Sequence, residues 1–166
     1  MRKLTVVPKA GKNDANSLVS WWKVRNPIRV YLNFWVIKLA QYSPSLRLKN
    51  ALYRLVGIKI GHGVRISPGV MFDFFWPELI ELGDGAIIGY GTTILAHEFR
   101  IENYRIGNVN VGKKTLIGAN CTILAGVSVG DDSQVSAMSL VNEDIPAKCF
   151  AGGIPAKVIR KIKRNR

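Results

Sequence analysis

Cysteine and histidine are both scarce in this chain, with two of each among 166 residues. Cys121 and Cys149 do not form the paired spacing of a disulfide framework, and no C-x-x-C motif indicates a zinc site. His62 and His97 are too few for a zinc site made of three histidines. We therefore expect a protein of a reducing compartment that uses no metal.

Long apolar runs are also missing. The longest uncharged run in the most apolar segment, residues 30–37, has eight residues, whereas about 20 are needed to span a bilayer. The first residues, MRKLTVVPKAGKND, lack the apolar run and the small-residue cleavage site of a signal peptide. These absences predict a cytoplasmic protein without a transmembrane helix.

Acidic residues are nearly absent from both ends of the chain, and the net charge of the whole chain is +13. Residues 1–57 carry 11 Lys and Arg against one acid, residues 157–166 carry six against none, and residues 58–156 carry seven against ten. Such ends fit a solvated surface, or an anionic partner such as a phosphorylated cofactor, a membrane surface or nucleic acid. No nucleic-acid motif is visible, and the basic residues flank the central region, so we expect no nucleic-acid partner.

A six-residue repeat occupies the region between these basic ends. Each block from residue 111 to 146 opens with Val or Ile, and the same phase begins at Ile60. The block openers are Ile60, Ile66, Phe72, Leu82, Ile88, Ile94, Val111, Ile117, Ile123, Val129, Val135 and Val141. A period of six fits neither a helix nor a long flat strand, but it fits a solenoid of short strands with the openers pointing inward.

Two insertions interrupt the repeat. Four extra residues precede Leu82, and 11 extra residues precede Val111. The longer insertion lies in residues 97–110 and carries His97. Because loops that leave a rigid scaffold often carry the chemistry, the repeat predicts a solenoid over residues 58–146 with one functional loop.

The segment before the repeat predicts two helices. Pro27–Tyr42 is densely apolar and begins with Pro, which favours the first helical position. Its neighbourhood, residues 21–42, mixes tryptophan with Lys and Arg, so it either packs against the solenoid or contacts a membrane surface peripherally. The second helix is predicted from a cap at Ser43, with Pro44 in the first turn, to a stop at Gly57. Its predicted apolar face consists of Leu48, Ala51, Leu52 and Leu55.

The two ends of the chain complete the predicted organisation. Residues 1–20 have few apolar side chains, and we expect them to be loosely ordered. After a turn at Gly152 and Gly153, residues 156–163 are predicted to form a short basic helix. The chain thus divides into a tail and helical hairpin (1–57), the solenoid (58–146) and a C-terminal extension (147–166).

Three features together resemble the hexapeptide-repeat O-acetyltransferases, a family that includes maltose, galactoside and polysaccharide-biosynthesis acetyltransferases. They are the hexapeptides, the HEF sequence at residues 97–99 and the GGIPAKVIRKI sequence at residues 152–162. The resemblance implies a mainly β protein, a left-handed parallel β-helix with the helical hairpin and a short C-terminal helix added. It also implies a homotrimer, active sites between neighbouring subunits, and acetyl-CoA as acyl donor.

The resemblance assigns roles to five residues. His97 matches the loop histidine that serves as general base, a task to which imidazole is suited. Ala119 and Ala137 match small residues that line the pantetheine groove. Lys157 and Arg160 match basic residues near the cofactor phosphates.

Carboxylates near His97 are further candidates. Glu98, Glu102 and Asp73 could orient its ring, bind the acceptor, or be solvated carboxylates without a role. We assign Glu98 to catalysis and Asp73 to substrate binding. His62, in the corner sequence IGHGVR, is predicted to lie at the surface.

The predicted function is acetyl-CoA-dependent transfer of an acetyl group to a hydroxyl of a sugar or related small molecule. Two alternatives stay open, an acyltransferase with another donor or acceptor and a non-catalytic trimeric scaffold. A γ-class carbonic anhydrase shares the β-helix, but it needs three histidines for zinc, and this chain has two.

Overall fold

Short parallel strands wind around one axis in the computed structural model, which describes residues 2–11 and 15–162. The helices are α1 (Trp21–Val24), α2 (Pro27–Tyr42) and α3 (Leu46–Leu55), with a single 3-10 turn at Pro77–Leu79. The strands are, in chain order, β1 (Thr5–Pro8), β2 (Lys59–Ile60), β3 (Arg65–Ile66), β4 (Met71–Phe72), β5 (Ile80–Leu82), β6 (Ile87–Ile88), β7 (Thr93–Ile94), β8 (His97–Phe99), β9 (Asn103–Ile106), β10 (Val109–Val111), β11 (Leu116–Ile117), β12 (Thr122–Ile123), β13 (Ser128–Val129), β14 (Gln134–Val135), β15 (Leu140–Val141), β16 (Cys149–Gly153) and β17 (Ala156–Lys161).

Three parallel sheets form the faces of the solenoid. Sheet I has the order β13-β10-β5-β2, sheet II contains β14-β11-β6-β3, and sheet III has the order β15-β12-β7-β4. In sheet I, Ile60 pairs with Leu82, Leu82 with Val111 and Val111 with Val129, so successive coils contain 22, 29 and 18 residues. Three uninterrupted blocks make the shortest coil, which confirms both insertions predicted from the repeat phase.

The block openers form the core. The eleven from Ile66 to Val141 are buried, as predicted. Ile60 is only half-buried, because it lies in the first coil, which no earlier coil covers. Buried hydroxyls at the fifth block position, on Thr115 and Ser133, donate to carbonyl oxygens of the next coil at 2.9 and 2.8 Å. These hydrogen bonds satisfy polar groups that the tight corners bury.

The two predicted helices are present. Asn26 caps α2 by accepting from Ile28 N, and Pro27 is its first residue. The cap of α3 is Ser45 and not the predicted Ser43, which instead follows the end of α2. Gly57 stops the second helix as predicted, at φ +103°.

Polar side chains from α2 and α3 cap the first coil. The N–H groups of this coil donate to the second coil, as Ser67 N does to Ile88 O at 2.9 Å. The carbonyl groups of the first coil therefore point away from the second coil, toward the end of the solenoid, and need other donors. Five side chains supply them: Gln41 to Gly69, Lys49 to Ile66, Asn50 to Val64, Tyr53 to Val70 and Arg54 to Ile60. The helical hairpin therefore closes one end of the solenoid through hydrogen bonds as well as apolar packing.

This capping overturns the predicted apolar face of the second helix. Lys49 and Tyr53 are the buried residues of α3, while Leu48, Ala51 and Leu55 are exposed and Leu52 is half-buried. The edge of the coil requires hydrogen-bond donors, which the apolar face lacks. By contrast, α2 packs one face against the solenoid through Val30, Ile37 and Ala40.

A β-hairpin closes the other end. Strand β16 runs parallel to β14, and β17 pairs antiparallel with β16. The predicted C-terminal helix is therefore wrong for residues 156–161, and Lys163 lies outside the described residues. The last coil leaves a strand edge without a partner, and the β-branched Val158 and Ile159 favour a strand that pairs with it.

The N-terminal tail is also more ordered than predicted. Within residues 2–11, β1 pairs antiparallel with β9, from Thr5 opposite Ile106 to Pro8 opposite Asn103. Residues 1 and 12–14 lie outside the described part. In the described ranges, every helix is too short or too polar to cross a membrane.

Candidate active site

The longer insertion folds into a β-hairpin that carries His97. Strand β8 contains His97 and pairs antiparallel with β9, and β1 adds to the other side of β9. The three-stranded sheet leaves the solenoid at the corner between sheets III and I, where residues 74–79 of the shorter insertion also lie. Both insertions therefore contribute to one site.

Asp73 anchors His97 from the first insertion. Its carboxylate Oδ1 accepts from Phe75 N at 2.8 Å and Trp76 N at 3.0 Å, and its Oδ2 accepts from Ala96 N at 2.7 Å. The same Oδ2 contacts Nδ1 of His97. The Asp73 side chain has no solvent exposure, whereas that of His97 keeps 13%.

The surroundings of Asp73 keep it ionised. Burial would raise its pKa, but the hydrogen bond and charge of His97 and the N–H groups of Trp76 and Ala96 outweigh burial and hold the pKa of Asp73 below its usual range. An ionised carboxylate can only accept hydrogen bonds, so Nδ1 of His97 carries the proton that faces it. In the neutral ring, Nε2 is then the free acceptor.

Aromatic rings hold His97 on its other sides. Phe75, Trp76 and Phe99 lie 4.8, 5.1 and 4.8 Å from it between ring centroids. Trp76 in turn stacks on Tyr104 at 5.8 Å. This packing leaves the imidazole few orientations, because the carboxylate fixes one edge and three aromatic rings pack around it.

The other two carboxylates do not contact His97. Glu98 forms an ion pair with Arg2, and it alternates with His97 along β8, so its side chain leaves the opposite face of the strand. Glu102 lies in the hairpin turn, 71% exposed, and pairs with Lys9 at 3.2 Å. Of the three carboxylates, the structure brings only Asp73 to the imidazole. Burial also leaves Asp73 no surface for contact with an acceptor, so its predicted substrate-binding position does not fit this geometry.

Ala119 and Ala137 stack in a different corner. Both lie between sheets II and III, and Met138 N donates to Ala119 O at 2.9 Å. The hairpin with His97 leaves at the opposite edge of sheet III. Within one chain, the structure therefore does not bring His97 and this corner together.

Lys157 and Arg160 lie on β17, and a bulge puts them on one face. In the pairing of β16 with β17, Lys157 lies opposite Gly152 and Arg160 lies opposite Phe150. Because the register shifts between Phe150 and Ala151, residues three apart on β17 face residues two apart on β16, so both cations point the same way. Arg160 lies over the Phe150 ring at 5.1 Å, and Lys157 pairs with Glu143 at 3.3 Å. The two cations thus share the outer face of sheet II, through a strand and not the predicted helix. His62 is exposed in its corner, as predicted.

Three contacts at the site were not predicted from the sequence. Arg25 pairs with Glu78 and lies 5.7 Å from the centre of the Trp76 ring. Lys3 N donates to Gly126 O at 3.0 Å, which fixes the tail below the hairpin. The signal in the sequence was the run FDFFWP at the shorter insertion, where the repeat phase slips and five of six side chains are aromatic or acidic. Such a composition in an insertion indicates a functional loop.

Comparison with known proteins identifies the repeat. Residues 108–137 match a family model described as the hexapeptide repeat of succinyl-transferase. A protein of Bacillus subtilis (strain 168) that carries the name "Putative acetyltransferase YvoF" is 45% identical over 160 residues, covering 96% of this chain and 91% of that protein. "Putative acetyltransferase SAS0727" of Staphylococcus aureus (strain MSSA476) is 42% identical over 146 residues, covering 84% of this chain and 91% of that protein.

Solved structures share the fold. A galactoside acetyltransferase in complex with coenzyme A superposes with a TM-score of 0.65 at 21% identity, covering 82% of this chain and 82% of that one. The solenoid is therefore a left-handed parallel β-helix. Together with the sequence relatives, which match nearly the whole chain, this fold leads to one conclusion. The chain belongs to the hexapeptide-repeat acetyltransferase family and is an acyltransferase.

Proposed function

We propose that this protein transfers the acetyl group of acetyl-CoA to a hydroxyl of a sugar or related small molecule, with His97 as general base. The hydrogen bond between Nδ1 of His97 and the buried Asp73 carboxylate is the observation that carries the proposal. It leaves Nε2 as the free proton acceptor, at a side chain that is held in place and still reachable from solvent. Family membership supports acetyl transfer as the reaction.

His97 has two tasks in this reaction. Nε2 takes the proton of the acceptor hydroxyl while the hydroxyl oxygen forms a bond to the carbonyl carbon of the thioester. The carbon–sulfur bond breaks, and the imidazolium returns the proton to the sulfur of the departing coenzyme A. The acetyl thioester supplies the acyl group, and the atoms balance as acetyl ester plus free thiol.

Asp73 is a positioning residue in this proposal. Its ionised carboxylate fixes the tautomer with the proton on Nδ1 and stabilises the imidazolium that forms when Nε2 accepts the second proton. Two backbone N–H groups on Oδ1 and one on Oδ2 keep the carboxylate itself in place. A carboxylate that bound the acceptor would need exposed oxygens, which Asp73 lacks.

The donor site is proposed to lie between two subunits of a homotrimer. Ala119 and Ala137, the candidates for the pantetheine groove, stack at the corner between sheets II and III, and small side chains there leave room beside the backbone. Lys157 and Arg160 lie on the outer face of sheet II and suit the phosphates of coenzyme A. Since His97 is at another corner of its own chain, a neighbouring copy is needed to bring the two parts together.

Release of free thiol tests this function. The protein is incubated with acetyl-CoA and a panel of glycosides, amino sugars and simple alcohols, and the products are identified by mass. The proposal predicts thiol release that depends on a hydroxylated acceptor and a product acetylated on oxygen. Acetylation of amines alone, or thiol release that no acceptor stimulates, would contradict transfer to a hydroxyl.

A further inference from the structure

The outer face of α2 carries a continuous apolar stripe that nothing in the described residues covers. Six side chains at helical spacing make up this stripe, which we call the α2 stripe, and each is 61–78% exposed. They are Ile28, Tyr31, Leu32, Trp35, Leu39 and Tyr42. The opposite face of α2 packs on the solenoid, and a helix that is apolar on both faces needs cover on both.

Two apolar grooves continue the α2 stripe on either side. One, of about 570 Å³, lies between α2 and α3, where Leu32, Val36 and Leu55 line it. The other, of about 420 Å³, lies between Trp21, Trp35 and Phe75. A contiguous exposed apolar surface rimmed by polar residues is typical of an interaction surface.

The charges around the α2 stripe select the partner. Residues 21–55 contain seven Lys and Arg and not one Asp or Glu. Lys23 and Arg29 are exposed beside the stripe. A second copy of the same face would oppose cations with cations, which disfavours self-association through it. The charges therefore favour a partner that has an apolar interior and an anionic surface.

We propose that the α2 stripe docks on an anionic lipid bilayer, with α2 lying in the plane of the headgroups. Trp and Tyr prefer this interfacial depth, and basic side chains beside an apolar face add attraction to acidic lipids. Phe75 lines one groove and packs on His97, 4.8 Å between ring centroids. The groove at the docked face therefore adjoins the candidate active site through Phe75.

Vesicle co-sedimentation tests the docking without any need for acetyl transfer. The wild-type protein is mixed with vesicles of phosphatidylglycerol and phosphatidylcholine, or of phosphatidylcholine alone, at low and high salt. The proposal predicts binding to the anionic vesicles that weakens roughly tenfold or more at high salt. It also predicts a blue shift of tryptophan fluorescence and quenching by brominated acyl chains, because Trp35 enters the interface.

Two sets of variants with matched controls identify the surface. Tyr31→Ser/Trp35→Ser/Leu39→Ser should weaken binding roughly tenfold or more, while Val6→Ser/Ile101→Ser/Ile154→Ser, also exposed apolar residues, should not. Lys23→Gln/Arg29→Gln/Lys38→Gln should weaken it to a similar extent, while Lys59→Gln/Lys113→Gln/Lys114→Gln should not. Far-UV circular dichroism and thermal unfolding confirm that each variant folds.

Three results would overturn the proposal. The first is wild-type protein that stays unbound with anionic vesicles. The second is binding that both serine variants weaken equally, which would indicate non-specific adsorption. The third is a lower molar mass by light scattering for Tyr31→Ser/Trp35→Ser/Leu39→Ser than for the wild-type protein, while the wild-type protein does not bind vesicles. That result would show that another copy of the chain covers the stripe.

Discussion

At the scale of single residues, the site depends on one carboxylate that serves four donors. Asp73 accepts hydrogen bonds from three backbone N–H groups and from the ring of His97, so it holds the start of the shorter insertion, the segment after β7 and His97 together. Its burial without solvent contact is tolerated only because every oxygen is bonded. In the proposed reaction, activity and stability therefore depend on the same ionised group.

Replacement of Asp73 should separate these two roles. Asp73→Asn keeps the shape but turns one oxygen into a donor that faces N–H groups, so turnover should fall roughly 10²-fold or more while coenzyme A binding changes little. The measurement is steady-state thiol release beside calorimetric titration with coenzyme A. Glu81→Gln, an exposed carboxylate on β5, is the control and should keep wild-type turnover.

The stability of the wild-type protein should depend on pH in a defined direction. The pKa of Asp73 is lower in the folded state than in the unfolded chain. Its contribution to the free energy of unfolding is therefore complete above the pKa of the unfolded chain, near 4, and is lost as the pH falls through the pKa of the folded state. Thermal midpoints should therefore drop in that acidic window more steeply for wild-type than for Asp73→Asn. Parallel slopes would show that Asp73 does not carry the acid sensitivity.

At the scale of elements, the N-terminal strand holds the hairpin that carries His97 against the solenoid. Strand β1 pairs with β9, Arg2 pairs with Glu98, and Lys3 lies against Gly126. A Cβ on Gly126 would stand 2.6 Å from Lys3 O, so only glycine lets the tail approach this closely. The strand that looked featureless in the sequence therefore becomes part of the support of His97.

Substitution of Gly126 should test this support. Gly126→Ala should displace the tail, loosen residues 97–106 and lower turnover about tenfold. The positive φ at this position should also destabilise the folded protein by roughly 1–2 kcal/mol. Gly63→Ala is a matched control, since Gly63 also has positive φ but its Cβ would meet nothing within 4 Å. Hydrogen exchange in β8 and β9 should rise for the first variant alone. Equal exchange in both variants would mean that β1 does not restrain the hairpin.

The C-terminal hairpin should contribute to coenzyme A binding through charge. Lys157→Glu/Arg160→Glu should reduce the thermal protection by coenzyme A, which amounts to about 2.7 kcal/mol at 100 times the dissociation constant for the wild-type protein. Protection by acetyl-pantetheine, which lacks the adenosine phosphates, should be unchanged. Lys113→Glu/Lys114→Glu controls for the loss of net charge. A similar loss of protection with both ligands would instead point to an effect on folding.

The sequence predicts the repeating part of the fold well and its ends poorly. The burial of block openers such as Ile66 and Val141 follows from the six-residue period, because each coil repeats the same packing. The two ends of the solenoid do not repeat this packing. Lys49 and Tyr53 are buried because the carbonyl groups of the first coil need hydrogen-bond donors. Residues 156–161 form a strand because the exposed edge of β16 needs a pairing partner. For the site, His97 was predicted from its position in the insertion together with the family resemblance of the HEF sequence. Its pairing with Asp73 depends on two insertions that meet in space.

At the scale of the whole molecule, the triangular cross-section separates the parts of the candidate site. His97 lies at the corner between sheets III and I, and Ala119 and Ala137 lie at the corner between sheets II and III. A threefold assembly would set one corner of a subunit against a different corner of its neighbour, as the family resemblance implies. Each active site would then need two chains.

Mixed assemblies should show this sharing directly. In the proposed reaction His97→Ala lacks the base and Ala137→Trp blocks the corner, so each alone should lose most of its turnover. Unfolded together and refolded at equal amounts, they should regain a substantial fraction of turnover, because some interfaces then pair an intact base with an intact corner. Light scattering should give three times the mass of one chain. A mixture as inactive as its components, or a monomer at micromolar concentration, would place the whole site within one chain.

The central claim is that His97 takes the proton of the acceptor, and turnover of His97→Ala measures it most directly. At saturating acceptor and acetyl-CoA, thiol release should fall by about 10²–10⁴ while coenzyme A affinity stays within about twofold, because the base acts on the acceptor and not on the donor. His62→Ala, the other histidine, should keep wild-type turnover. A His97→Ala variant that keeps more than about a tenth of wild-type turnover would contradict the account.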